Sequence, residues 1–135
     1  MKDSKVKIFW RIILVIFYLL AGIAHLRSPA GFLAITPPWV PYPAEVVMVT
    51  GIAEIAGATG LMIGRFRYAA GIGLALYALC VWPANIHHMV NNIEVAGQVA
   101  PLWYHVPRMI AQPFIIWLAL WAGGVTDWPF RRRSP

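Results

Sequence analysis

Residues 50–61 read TGIAEIAGATGL, an apolar stretch with a glutamate, Glu54, near its middle. A carboxyl group in such surroundings must be neutral, paired or turned toward a wet cavity, because burying it ionised and alone costs several kcal/mol. Other groups able to exchange protons or donate hydrogen bonds sit among apolar neighbours in the same way: His25, Asn85, His87, His88, Arg108 and Gln112. Their spacing gives them shared helical faces. Thr50, Glu54 and Gly57 follow i, i+4, i+7, while Asn85, His88 and Asn92 follow i, i+3, i+7. Arg108 and Gln112 are i, i+4. His87 lies about 100° round a helix from His88, so one of the two faces inward, and period alone does not choose. In chemical terms Glu54 and His25 are a candidate proton-exchanging pair, hence candidate catalytic residues. Asn85, His88, Arg108, Gln112 and Thr50 are candidate ligand-binding groups for oxygen atoms. His25, Glu54 and His88 are also metal-ligand types, but no local spacing motif joins them and no metal site is expected.

These residues need elements to hold them, and composition says what kind. Of the 135 residues, 60% are hydrophobic and 12% charged, far from the soluble average of about 45–50% and 25%. Lipid must be the solvent for much of such a chain. Four apolar segments stand out, at about residues 8–26, 45–63, 68–90 and 107–124. Each approaches the ~20 residues that cross ~30 Å of hydrocarbon at about 1.5 Å per residue. The expected class is therefore all-α, a four-helix transmembrane bundle forming one domain. The first segment is read as a span rather than a cleaved signal peptide, because three more spans follow and its apolar run is long for a signal.

The connectors are short. RSPAGFLAITPPWVPYPAE carries five prolines and predicts a stiff, partly extended surface segment. GRFR predicts a tight turn, and NNIEVAGQVAPLWYH joins the last two spans. The 11 Lys and Arg residues outnumber the 5 Asp and Glu. Lys2, Lys5, Lys7, Arg11, Arg65, Arg67 and Arg131–Arg133 fall on one side of a four-span chain, leaving Arg27 and Arg108 opposite. The positive-inside rule then puts both termini in the cytoplasm of a multi-pass protein of the cell (inner) membrane. Cations at the ends of apolar runs serve topology and lipid headgroups, which argues against nucleic acid as a partner. The single cysteine, Cys80, can form no intrachain disulfide and is expected to pack as a small apolar residue. Trp39, Trp103, Trp117, Trp121 and Trp128 are expected mostly in the interfacial belts.

Depth counting links the two readings. Glu54 lies nine residues into its span, about 13 Å at helical rise and close to the midplane. His25, Asn85, His88, Arg108 and Gln112 all fall in the outer half, and the inner half is nearly free of polar groups. Pro83 and Pro113 lie inside spans near this layer, and each bends its helix and frees a carbonyl. Gly51, Gly57 and Gly60 allow helix backbones to approach.

The segments AGIAHL, TGIAEIAGATGL, WPANIHHM and RMIAQPFIIWLAL resemble the motifs of DoxX-like membrane proteins along nearly the whole chain. Leu26 and Pro107 depart mildly from that pattern. The resemblance implies a four-helix integral membrane protein with a polar set of His25, Glu54, Asn85, Arg108 and Gln112. Some DoxX-like proteins are small subunits of thiosulfate:quinone oxidoreductases. The leading expectation is accordingly a quinone-interacting subunit of an electron-transfer system, with a partner redox subunit or a second copy of the chain beside it. The alternative is a non-enzymatic assembly or interaction protein whose buried polar layer is structural. A transporter is disfavoured, since the inner half offers no continuous polar path.

Overall fold

The computed structural model describes residues 3–130, so Lys2 and Arg131–Arg133 of the charge pattern lie outside the described residues. The architecture is all-α. The elements run α1 (Lys5–Arg27), α2 (Pro29–Ile35), α3 (Pro43–Met62), α4 (Arg67–Val90), the two-residue strands β1 (Glu94–Val95) and β2 (Gln98–Val99), and α5 (Leu102–Ala122). Local chemistry sets the boundaries. Ser4 caps α1, its Oγ accepting from the Lys7 amide at 3.2 Å. Proline opens both α2 and α3, where a missing N–H is harmless. Asn91 closes α4, and the antiparallel β1–β2 hairpin carries the chain to α5.

The four long helices form a ring: α1 packs on α3, α3 on α4, α4 on α5, and α5 back on α1. Three of them, α1, α3 and α4, are long and apolar enough to cross a membrane. The 21-residue α5 is as long as α3 but carries His105, Arg108 and Gln112 in its first half. Outward faces are apolar rather than charged: Ile12, Ile16, Leu20 and Ile23 of α1 are all more than 40% exposed. A surface of this kind belongs against hydrocarbon.

The two ends of the ring differ. At the end nearest both termini, Lys7 Nζ lies 3.2 Å from Asp127 Oδ1 and Arg11 Nη2 lies 2.7 Å from Asp3 Oδ2. Arg67 approaches the same Asp3 carboxylate at 3.7 Å, and Arg11 Nε donates to the Ala122 carbonyl at 2.8 Å. Next to this network lies the apolar core, with Leu14, Tyr18, Ala58, Leu61, Leu74 and Leu118 at its centre. The opposite half holds the polar residues.

Several details differ from the sequence reading. Seven residues of the proline-rich connector form α2, because Pro29 occupies its first position and no further proline falls before Pro37. The last long helix begins at Leu102, five residues before the expected 107, with Pro107 and Pro113 both inside it. Trp121 is a core residue, 7% exposed and stacked on Trp117 at 5.5 Å, whereas Trp39, Trp103 and Trp128 are exposed. Cys80 on α4 is exposed rather than packed in the core, and it borders the cavity described below.

Candidate functional site

A cavity of about 520 Å³ occupies the half of the bundle away from the termini. Its walls are mostly apolar, and every long helix contributes to them. Phe32 and Ile35 of α2, with Pro37, Trp39 and Val40 of the loop beyond, cover its end. Six of the seven residues singled out from sequence, His25, Thr50, Glu54, Asn85, Arg108 and Gln112, line this one space.

One wall is built by α1 and α3. Gly22 and Gly51 let these helices meet backbone to backbone: a Cβ on Gly22 would lie 2.7 Å from the Gly51 carbonyl oxygen, and one on Gly51 would lie 2.7 Å from His25 Cβ. That approach puts His25 Nδ1 3.0 Å from Glu54 Oε2. The same nitrogen lies 2.8 Å from the Ala21 carbonyl oxygen. A carbonyl only accepts, so Nδ1 carries a proton, which points at Ala21. Glu54 Oε2 therefore has a cationic or neutral imidazole beside it but no aligned donor, although the residue is only 3% exposed. Phe32 stacks flat on the His25 ring, centroids 3.6 Å apart, and fixes its plane. Tyr18 and Tyr77 meet edge to face at 6.1 Å and line the cavity with Glu54. Thr50 spends its hydroxyl hydrogen on the Val47 carbonyl at 2.8 Å, leaving an acceptor oxygen at the wall.

The other wall comes from α4 and α5. Arg108 Nη2 donates to Asn85 Oδ1 at 2.7 Å, and Asn85 Nδ2 donates to Gln112 Oε1 at 3.4 Å. Gln112 Nε2 in turn donates to the Ala78 carbonyl oxygen at 2.5 Å. Pro83 removes the N–H that would serve the neighbouring Leu79 carbonyl, so this bond ties α5 to α4 one residue from that gap. The guanidinium also sits over the Tyr104 ring, 4.8 Å from its centroid.

Of the adjacent histidines, His88 turns inward, 5% exposed, and His87 pairs with Asn91 along its own helix. His88 Nδ1 lies 3.4 Å from Arg108 Nη1, a donor only, so the imidazole is neutral at Nδ1 and its proton rests on Nε2. It packs not on the His25–Glu54 pair but on His105, ring centroids 4.7 Å apart. Among the described residues no group of three or more His, Cys, Asp or Glu side chains gathers as a metal site. His105 is 1% exposed with neither ring nitrogen partnered, and it lies outside the expected 107–124 segment because α5 begins at Leu102. Its signal was present: His105, Arg108 and Gln112 follow i, i+3, i+7.

The arrangement is thus a largely apolar chamber with a carboxyl–imidazole pair on one side and a fork of donors on the other. Residues 14–125 match the family described as "Domain of unknown function (DUF8561)", and the chain belongs to that family. Neither a curated protein nor a solved structure matches it.

Proposed function

We propose that this member of the DUF8561 family is a four-span membrane protein, both termini cytoplasmic, that binds a quinone-type ring in its outer-half cavity for an electron-transfer system. The observation that carries the reading is the convergence of a proton-exchanging pair and a set of hydrogen-bond donors on one apolar chamber of about 520 Å³. That volume lies within the roughly 300–1,000 Å³ of small-molecule sites. The basic residues Lys5, Lys7, Arg11, Arg65 and Arg67 at the terminus end support the cytoplasmic placement. The motifs AGIAHL, TGIAEIAG, WPANIHH and RMIAQ, which resemble those of DoxX-like proteins, contribute His25, Glu54, Asn85 and both Arg108 and Gln112 to the same chamber.

The residues fit such a ring. Two carbonyl oxygens need donors, an apolar tail needs greasy walls, and the chamber offers both. A bound quinone would supply a two-electron, two-proton acceptor, its electrons coming from a partner redox subunit or a soluble reductant. Arg108 and Asn85 orient the ring by donating to an oxygen. Glu54 Oε2, buried and without an aligned donor, holds or accepts a proton on the opposite wall. His25, protonated at Nδ1 and 3.0 Å away, exchanges it. Phe32 and the Pro37–Val40 loop exclude water from above.

The test is saturable binding of ubiquinone or menaquinone by protein gently extracted from membranes, with Glu54→Gln beside wild type. Wild type should bind and Glu54→Gln should bind at least about tenfold more weakly, the size of one lost buried charge-assisted bond. No saturable binding by wild type sinks the proposal. A second reading, a structural polar lock without a ligand, draws on the Arg108–Asn85–Gln112–Ala78 chain that ties α4 to α5. It wins if Glu54→Gln and His25→Ala unfold the protein while extracted wild type carries no bound ring compound.

A further inference from the structure

Arg108 is the one cation among the residues lining the chamber whose charge is permanent. Its polar and aromatic contacts among the described residues are the Asn85 side-chain carbonyl at 2.7 Å, the Nδ1 acceptor of His88 at 3.4 Å and the face of Tyr104 at 4.8 Å, none of them an anion. Among the described residues no carboxylate lies within 4 Å of its guanidinium. Two of its five N–H groups are engaged by Asn85 and His88, leaving three. Glu54, the only acidic side chain lining the chamber, already has His25 at 3.0 Å. That carboxyl is therefore engaged on the opposite wall and makes no ion pair with Arg108. The half-buried guanidinium thus stands at the edge of an apolar space with no carboxylate in contact, a place where an anionic ligand group is favoured.

We propose that the ligand of this chamber is an acidic ring: a planar carbonyl compound bearing an oxygen that is anionic when bound, held by the free N–H groups of Arg108. A hydroxyquinone, whose ionised hydroxyl is conjugated with a ring carbonyl, is the simplest member of the class. It presents two oxygens in the manner of a carboxylate, which matches the planar guanidinium fork. The rest of the ring faces Val46, Val47, Val81 and Ile115. This inference rests on the ring-binding reading above and narrows it. Neutral quinones would still enter, but would leave the Arg108 charge without its partner.

The experiment compares two naphthoquinones of nearly equal size on detergent-purified wild type: a hydroxynaphthoquinone ionised at neutral pH, and its methyl ether, which carries no charge. The acid should bind at least about tenfold more tightly, because a charge-assisted bond is roughly twice as strong as a neutral one. Arg108→Gln, which keeps donors without charge, should bring the two to equal affinity, and Arg108→Lys should preserve the order with a smaller ratio. Equal binding of both compounds by wild type overturns the acidic-ring inference and leaves ring binding standing. Binding of neither overturns both. Should Arg108→Gln fail to fold, the wild-type ratio and Arg108→Lys still decide.

Discussion

Replacing Gly51 by alanine tests the claim that close backbone approach creates the His25–Glu54 pair. The added methyl would lie 2.7 Å from His25 Cβ, 3.1 Å from the Gly22 carbonyl oxygen and 3.3 Å from Leu26 Cγ. Carbon atoms rest at about 3.5–4.0 Å, so α1 must withdraw by about 1 Å. The neighbours that must move are a Cβ and a backbone carbonyl, not the end of a flexible chain. Overpacking of this kind costs about 1–3 kcal/mol. Alanine returns up to about 1 kcal/mol of helix propensity. The control is Gly73→Ala, because a Cβ at Gly73 of α4 meets nothing within 4 Å and keeps only the propensity gain. Gly51→Ala should therefore be about 1–3 kcal/mol less stable than Gly73→Ala. Unfolding in mixed micelles followed by circular dichroism measures the difference. The same 1 Å withdrawal carries His25 Nδ1 from 3.0 Å to beyond hydrogen-bond reach of Glu54, so bound ring compound should be lost in parallel. Equal stability of the two variants would refute the reasoning, since it would mean that α1 and α3 are not in contact at Gly51.

Three further outcomes are expected. At the terminus end, burial opposes ionisation of Asp3, but the Arg11 hydrogen bond and the charges of Arg11, Lys7 and Arg67 outweigh it and hold the carboxyl below its ordinary 3.8. A depressed folded value contributes stability that is fully present above the unfolded value and lost as pH falls through the folded one. Melting curves from about pH 6 down to about pH 3 should thus show a decline in wild type that Asp3→Asn lacks; parallel declines would exclude the Asp3 contribution. Gln112→Leu takes the acceptor from Asn85 Nδ2 and the side-chain donor from the Ala78 carbonyl, and should lower stability by about 1–3 kcal/mol, read by the same micelle titration. His105→Phe replaces a buried ring whose two nitrogens have no partners, so stability should hold or rise; a loss above about 2 kcal/mol would show that those nitrogens are bonded in the folded protein.

Much of this organisation was legible in the chain because membrane helices announce themselves by length and apolarity, and because polar groups within them are few enough to count. Three of the long helices carry that signal in full. The fourth carries it weakly for an informative reason: the His105, Arg108 and Gln112 that lower its hydropathy are the residues that face the interior. Depth counting put His25, Glu54, Asn85, Arg108 and Gln112 in one layer, and they line one cavity. What could not be read was tertiary. Helical period left His87 and His88 equivalent, and only packing against His105 and Arg108 turns His88 inward. Period likewise gave no sign that Arg11, counted as a topology signal, would be 5% exposed with its Nε on the Ala122 carbonyl. Pro107 hides the true start of α5, because a proline ends a helix in most settings, whereas here it is the sixth residue of the helix and costs only the one bond to the Trp103 carbonyl.

The contrast between the two ends of the bundle bears on why the polar layer exists. At the terminus end, hydrogen-bonding capacity is matched: Asp3 meets Arg11, Lys7 meets Asp127, and Arg11 completes the last turn of α5. Helices there approach backbone to backbone, with a Cβ on Gly71 only 2.9 Å from Gly123 Cα. That half is fully explained by stability. At the other end Glu54 Oε2, His88 Nε2 and both nitrogens of His105 are buried without partners, and three N–H groups of Arg108 are unspent. Each buried unpartnered group costs about 1–3 kcal/mol relative to an apolar isostere. A bundle held together only by packing would be more stable with leucine or phenylalanine at those positions. Of these residues Glu54 and Arg108 line the chamber, while His88 and His105 pack on each other beside it, so a ligand in the chamber accounts for the first two and not for the histidine pair.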